Sequence, residues 1–159
     1  MSQLAAGPTA RAVLASPRDS GRLDRDWLTV LAAVPLFGEL SRRHLKRVAS
    51  LAKTRRFASG TAIVRKGDPG TVFYVIIDGS ARVVAAKGRA RRLKAGQFFG
   101  EMALLDDSPR SADVVAEDEV LALTISRSAF GKLLKSEPTL ANALLRTLAG
   151  RLRAAEASA

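Results

Sequence analysis

Cysteine is absent from the 159-residue sequence, and His44 is its single histidine. Disulfide bonds and thiolate metal sites are therefore excluded, and one imidazole cannot form a histidine zinc site. Long apolar runs are also missing, because the longest, Val72–Ile77, has the length of a strand rather than of a membrane-spanning helix. No basic start leads into a continuous apolar stretch, so no signal peptide is predicted. These absences predict a cytoplasmic protein with no metal ion and no membrane span.

Sequence motifs of catalysis are missing as well. The chain has no Walker loop, no His-Glu zinc helix and no serine elbow. Asp106 and Asp107 are adjacent, but no nucleophile or second acid stands beside them in the sequence. A solvated loop explains this pair, and the sequence predicts that the protein is not an enzyme.

Acidic residues are scarce relative to basic ones. The chain has 26 Lys and Arg against 15 Asp and Glu, a net charge of +11 and a pI near 11.2. Half of the basic residues fall in segments 42–56 and 82–94, neither of which contains an acid. Such segments are explained either by a solvated surface or by docking to nucleic acid, acidic lipid or an acidic protein. Composition alone leaves these alternatives open.

The chain has room for one domain with extensions. Residues 1–22 are rich in Ala, Ser, Pro and Gly without periodicity, which predicts a flexible arm. Residues 23–159 form the predicted domain, with helices at 24–53, a β unit at 54–125 and C-terminal helices at 126–156. No internal repeat interrupts this order.

Capping residues and apolar spacing predict the helices. Ser41 is suited to cap one helix, Ser126 or Ser128 a second, and Pro138 is suited to the first position of the last helix. One apolar face is predicted before Pro35, a second on the helix after Ser41, and a third on the last helix. These faces comprise, in that order, Trp27, Val30, Leu31 and Val34; Leu45, Val48 and Leu51; and Leu140, Leu144, Leu145, Leu148 and Leu152.

Short β-branched and aromatic runs separated by turn signals occupy the middle of the chain. Thr71–Ile77 is closed by Asp78-Gly79 and followed by Ala81–Ala86, a pattern that predicts a hairpin. Many short strands at this spacing indicate an antiparallel sandwich or barrel.

The segment between Phe99 and Ala112 contains the residues best suited to bind a ligand. Gly100 precedes good helix formers, and a helical turn starting there would direct unpaired N–H groups at an anion. Arg110 follows Pro109, within possible reach of this turn, and its guanidinium pairs well with phosphate oxygens. Glu101 is suited to accept hydrogen bonds from sugar hydroxyls. A first-turn acid with a surface salt-bridge partner is the alternative explanation.

The run Phe99–Leu105, followed by Pro109–Ala112, resembles the phosphate-binding cassette of cyclic nucleotide-binding domains. This family includes the catabolite activator protein, the regulatory subunit of protein kinase A and cyclic-nucleotide-gated channels. Pro35-Leu36-Phe37 is similar to the family's entry helices, and the resemblance extends from Val34 to Arg153. Several glycines fall where the family has turns, namely Gly60, Gly67, Gly79 and Gly96.

The resemblance implies a mainly β fold with flanking helices. The β unit would be an eight-stranded antiparallel β-roll of jelly-roll type, preceded by N-terminal helices and followed by C-terminal hinge and lid helices. The chain would be a stand-alone, single-domain member of the family.

The resemblance also implies a set of ligand-binding residues. Arg110 would pair with the cyclic phosphate and Glu101 with the ribose 2′-hydroxyl. Arg153 or Glu156 would reach the base edge, and a free helix end is the alternative. The backbone of the cassette and an apolar wall would complete the site. The remaining residues assigned to ligand binding are Gly100, Met102, Ala103, Ser111 and Ala112 in the cassette, with Val83, Leu93 and Phe99 beside it.

The function implied is that of a sensor. A cyclic nucleotide, with cAMP expected and cGMP as the alternative, would reposition the terminal helices and alter contact with a protein partner. The alternative is a docking or DNA-associated module that uses the fold without a ligand. The leucines of the last helix suggest a homodimer, with packing onto the β unit of the same chain as the alternative. Sequence-specific DNA reading is not expected because no helix-turn-helix follows.

Overall fold

The computed structural model describes residues 25–84, 90–101 and 108–157. The predicted arm at 1–22 lies outside the described residues. Helices at both ends flank eight strands. The helical elements are α1 (Arg25–Ala32), a 3-10 turn (Pro35–Phe37), α2 (Arg42–Leu51), α3 (Arg127–Ser136) and α4 (Pro138–Ala157). The strands are β1 (Ala52–Phe57), β2 (Ala62–Val64), β3 (Val72–Asp78), β4 (Ala81–Val84), β5 (Ala90–Leu93), β6 (Phe98–Phe99), β7 (Asp113–Ala116) and β8 (Val120–Ser126).

The strands form two four-stranded antiparallel sheets. Their orders are β1-β8-β3-β6 and β2-β7-β4-β5. This arrangement confirms the mainly β fold with flanking helices and the eight-stranded antiparallel β-roll. Strand β6 has two residues, paired with Tyr74 and Val75, and is too short for its sequence pattern to predict it.

The predicted hairpin at Asp78-Gly79 is wrong, because β3 and β4 belong to different sheets. The dipeptide instead turns the chain from one sheet into the other. Gly79 has φ +89°, and a Cβ there would lie 2.3 Å from the carbonyl oxygen of Glu119. The side chain of Asp118 accepts a hydrogen bond from the Ser80 N–H at 2.7 Å. The corner is therefore fixed by the β7–β8 turn rather than by a partner strand.

The predicted helix caps are present. The Ser41 hydroxyl accepts a hydrogen bond from the His44 N–H at 3.3 Å, and the Ser126 hydroxyl accepts one from the Ala129 N–H at 3.2 Å. Pro138 is the first residue of α4. The chain enters the sheet at Ala52, two residues before the predicted start of the β unit, because the pairing of β1 with β8 already begins at Ala52, opposite Ile125.

Two apolar clusters form the core. One lies between the helices and the first sheet and includes Leu31, Val48 and Phe73, and the other lies between the two sheets around Ile76 and Val120.

The predicted single leucine face of α4 is wrong. Leu140 and Leu144 are buried, whereas Leu145 and Leu152 remain 64% and 61% exposed. Leu145 follows Leu144 directly and is rotated by about 100° around the helix. Among the described helices, none has the length and apolar character needed to cross a membrane.

Candidate functional site

One cleft of the β-roll brings together most of the residues that the sequence assigned to ligand binding. Its volume is about 90 Å³. Residues from β4, β6, the cassette and α4 line it together. The predicted members are Val83, Phe99, Gly100, Glu101, Arg110, Ser111 and Ala112, and the other lining residues are Val64, Arg91, Pro109, Val114 and Arg151.

Arg110 is fixed by contacts at both its backbone and its side chain. Its N–H donates to the carbonyl of Asp68 at 2.8 Å, and its own carbonyl accepts from the Gly67 N–H at 2.9 Å. The guanidinium donates to the carbonyls of Val72 at 2.6 Å and Gly100 at 3.2 Å. Because a guanidinium has five donor hydrogens, these two contacts leave donors available to an anion. The side chain is thus oriented before any ligand arrives.

Burial of the Arg110 guanidinium has a desolvation cost. The side chain is 7% exposed, and its guanidinium carbon lies 5.7 Å from the centre of the Tyr74 ring, which stacks in turn on Phe99. Desolvation lowers the pKa of Arg110 from its ordinary value, and electrostatic attraction to Tyr74, Glu101 and Asp68 opposes this shift. A bound anion would compensate the buried charge further.

Gly100 allows the close approach between the cassette and Arg110. Its φ is +92°, a left-handed conformation that L side chains rarely adopt. A Cβ at this position would lie 2.6 Å from Nη1 of Arg110 and 3.0 Å from the carbonyl oxygen of Val72. Glycine is therefore required both by the backbone conformation and by the space that the guanidinium occupies.

Glu101 is buried, and its partner comes from the last helix. The side chain is 6% exposed, and Oε1 lies 3.4 Å from Nη1 of Arg151. Arg151 also donates to the carbonyl of Phe98 at 3.1 Å and lies over the Phe98 ring at 4.4 Å. The ion pair connects the cassette to α4, so the carboxylate assigned to the ribose is directly joined to the C-terminal helix.

The cleft has an excess of positive charge. Arg91, on strand β5, is paired in register with Val83, which also lines the cleft. Burial lowers the pKa of Arg151, attraction to Glu101 opposes this, and repulsion from Arg91 adds to the lowering. Among the described lining residues, Arg91, Arg110 and Arg151 face a single carboxylate. This imbalance suits an anionic ligand.

Five of the assigned residues are not seen in the cleft. Leu93 is 1% exposed and belongs to the core between the sheets. Arg153 and Glu156 are exposed and do not line the cleft, whereas Arg151 does. Met102 and Ala103 lie outside the described residues.

Sequence reasoning missed Arg91 and Arg151. Arg151 follows Leu144 by seven residues, or two helical turns, and so shares the buried face of α4. Arg153 is rotated from Arg151 by about 200°. The helical period thus contained the signal for Arg151. For Arg91, the available signal was its position on the strand that follows β4 directly along the chain, and the structure pairs these two strands.

Comparison with known proteins agrees with this geometry. The family model described as "Cyclic nucleotide-binding domain" matches residues 54–137. The cAMP-dependent protein kinase regulatory subunit of Hypocrea atroviridis is 36% identical over 104 residues, which cover 65% of this chain and 22% of that protein. A cyclic nucleotide-gated potassium channel of Mesorhizobium japonicum is 37% identical over 139 residues, covering 87% of this chain and 38% of the channel.

A solved structure supports the same assignment. The catabolite activator protein of Thermus thermophilus superimposes with a TM-score of 0.71 at 32% identity, covering 78% of this chain and 61% of that one. The fold and the cleft define a cyclic nucleotide-binding domain. The chain belongs to the cyclic nucleotide-binding domain family. It spans between a fifth and two fifths of the length of the two curated relatives, which are regulatory or channel proteins.

Proposed function

We propose that the protein is a cyclic nucleotide sensor in which the cleft binds the nucleotide and α4 transmits the signal to a protein partner. The observation that carries this proposal is the convergence of Arg110, Gly100 and Glu101 on one cleft. In the proposed complex, the guanidinium and the cassette backbone, including Ser111 and Ala112, hold the cyclic phosphate. Val83 and Phe99 face the apolar parts of the ligand. The names of the relatives favour cAMP, with cGMP as the alternative.

The size of the cleft connects ligand binding to α4. Its volume of about 90 Å³ lies well below the roughly 300 Å³ at which pockets for small molecules begin. Arg151 is the α4 side chain that reaches into this space, and it is held there by Glu101. A nucleotide that engages Glu101 through its ribose would compete with Arg151. Such competition would favour a different position of α4, which is the requirement for a ligand-driven change.

A panel of nucleotides tests ligand binding directly. In thermal-shift assays we expect a cyclic nucleotide at about 100 times its Kd to stabilise the fold by roughly 2.7 kcal/mol, which raises the Tm by about 5–10 °C. The panel is cAMP, cGMP, cCMP and cUMP, with 5′-AMP as the acyclic control. If none of the cyclic nucleotides shifts the transition, the ligand-free docking module becomes the better description.

The exchange of Arg151 for Gln tests the proposed coupling. In the unmodified protein, we expect ligand to release Arg151 from Glu101, so that amides in the C-terminal half of α4 exchange hydrogen faster. In Arg151→Gln these amides should already exchange fast without ligand, and ligand should change them little. The measurement is hydrogen–deuterium exchange resolved by mass spectrometry.

Arg153→Gln is the matched control for this experiment, because Arg153 lies on the same helix but is exposed. It should retain the ligand response of the unmodified protein. A full response in Arg151→Gln, or its loss in Arg153→Gln, would assign the coupling to a contact other than Arg151–Glu101. Arg153 and Glu156 would then be the candidates for contact with the base, as the sequence predicted.

The exposed leucines of α4 support a homodimer as part of this proposal. Leu145 and Leu152 are separated by seven residues and project from the same side of the helix. This apolar stripe lies on the helix that Arg151 connects to the cleft. Release of Arg151 would therefore act on the same element that offers the dimer contact.

A further inference from the structure

A second concave surface lies away from the nucleotide cleft, between α2 and the junction of α3 with α4. It has a volume of about 890 Å³ and is termed the basic groove below. Helix α2 forms one wall and the helix junction forms the other. The lining residues are Arg42, Arg43, His44, Lys46, Arg47, Ser50, Ser136 and Glu137.

The cations of the groove are not neutralised from within it. Glu137 is its one carboxylate among the described lining residues, 4% exposed, with Oε2 at 3.8 Å from Nε of Arg47 and Oε1 at 3.1 Å from Nδ1 of His44. Arg42, Arg43 and Lys46 make no ion pair with any residue in the part of the chain that the structure describes. The groove therefore retains a strong positive charge.

The stability of α2 does not explain these residues. Arg42 and Arg43 occupy the first helical turn, which contains no acid, and cations near a helix N-terminus oppose its dipole. Arg42 with Lys46, and Arg43 with Arg47, place like charges at i and i+4, an arrangement that destabilises a helix. The helix is instead held by the Ser41 cap and by its buried apolar face. A binding role accounts for cations that the fold itself does not need.

The lining chemistry separates the possible anionic partners. A membrane surface is disfavoured because Leu45, Val48 and Ala49 of α2 are buried, and the lining residues that the structure describes include no apolar side chain for insertion. An acidic protein is disfavoured for a similar reason, since protein interfaces depend on apolar or aromatic anchors. Single-stranded nucleic acid is disfavoured because the described lining residues include no Phe, Tyr or Trp to stack on a base, and the one aromatic ring among them, that of His44, is paired with Glu137.

We propose that the basic groove binds the sugar–phosphate backbone of double-stranded nucleic acid without reading its sequence. Arginine and lysine provide most phosphate contacts, and hydroxyl groups such as those of Ser50 and Ser136 provide others. Residues at i and i+4 are separated by about 6 Å along the helix axis, so α2 presents successive cations to a chain that carries one charge per nucleotide. This inference is independent of the nucleotide cleft.

Fluorescence anisotropy with a labelled, mixed-sequence DNA duplex tests the proposal on the full chain. We expect a Kd of roughly 10⁻⁶–10⁻⁴ M at physiological salt, and a slope of log affinity against log salt of roughly −2.7 to −3.6 for three or four neutralised phosphates. The triple variant Arg42→Gln, Arg43→Gln, Lys46→Gln should bind at least tenfold more weakly, with a slope closer to zero.

A matched control variant removes the same charge elsewhere, namely Arg65→Gln, Lys66→Gln, Lys94→Gln, all three at exposed positions. It should lose no more than about threefold in affinity, as expected for residues outside the contact. The groove variant should also melt at an equal or higher temperature, because like-charge repulsion in α2 is relieved.

Three competitor probes decide between partner classes: the single strand of the same sequence, poly-glutamate and vesicles rich in phosphatidylserine. Preferential binding of the duplex, lost in the groove variant, supports the proposal. Tighter binding of any competitor, or equal losses in the groove and control variants, would overturn it. A strong preference for one DNA sequence would overturn the proposal that the groove does not read sequence.

Discussion

Arg110→Ala is expected to weaken binding of the cyclic nucleotide by at least tenfold while leaving the fold intact. Charge-assisted hydrogen bonds contribute about 1.5–3 kcal/mol, and each 1.4 kcal/mol corresponds to roughly a factor of ten in affinity. Arg110 is 7% exposed and already oriented by Val72 and Gly100. Little rotamer freedom is therefore lost when a phosphate binds, so most of the interaction contributes to affinity.

The fold should tolerate this exchange because two effects of opposite sign accompany it. Loss of the guanidinium leaves the carbonyls of Val72 and Gly100 without these donors, which costs stability. The same change removes a buried charge whose desolvation lowers its pKa. We expect a net change of no more than about 2 kcal/mol in the free energy of unfolding, checked by denaturant titration.

Isothermal titration calorimetry measures the affinities. Arg110→Lys retains the charge but loses the planar fork, so it should bind with intermediate affinity. Arg65→Ala removes an exposed cation that does not line the cleft and should bind like the unmodified protein. Unchanged affinity in Arg110→Ala would show that the cyclic phosphate is not held by this residue.

Local sequence signals predicted the elements well, because their causes are local. A serine hydroxyl caps the helix that follows it, as at Ser41 and Ser126. Pro138 starts α4 for an equally local reason. Neighbouring residues also predict the turns at the positive-φ glycines, including the glycine of the cassette. The local signals at Gly100 and Arg110 allowed either an anion site or a surface salt bridge, and the resemblance of the cassette to the family led to the prediction that both residues belong to one site.

The errors arose where the outcome depends on distant residues. Asp78-Gly79 fixes a turn but not the partner of the next strand, which pairs with β5 and β7. The turn itself packs against Asp118 and Glu119, about 40 residues away. The exposed side of α4 depends on how Leu140 and Leu144 pack onto the β-roll. Local propensity contains neither piece of information.

The positive charge of the cleft could not be predicted from local sequence signals either. Arg151 lies 50 residues beyond Glu101, and only the packed rotation of α4 brings the two together. The sequence indicated an anion site through the cassette alone. The structure adds two arginines from β5 and α4, and one of them connects ligand recognition to the last helix.

Gly100→Ala is expected to reduce both stability and ligand affinity, and a matched glycine separates the two effects. Gly60 has φ +85° and no heavy atom within 4 Å of its would-be Cβ, whereas at Gly100 the φ is +92° and Nη1 of Arg110 lies at 2.6 Å. Both alanine variants should lose roughly 1–2 kcal/mol through backbone strain. Only Gly100→Ala must also displace the guanidinium, so only this variant should lose tenfold or more in affinity.

A double-mutant cycle identifies the atom responsible. If Gly100→Ala weakens binding by displacing Arg110, then combining it with Arg110→Ala should add little to the loss caused by Arg110→Ala alone, because both changes remove the same interaction. Additive losses would mean that the alanine methyl group blocks the ligand directly. Equal affinity in Gly60→Ala and Gly100→Ala would show that the cassette backbone at this position does not approach the phosphate, since the added methyl group would then meet neither the ligand nor a guanidinium that binds it.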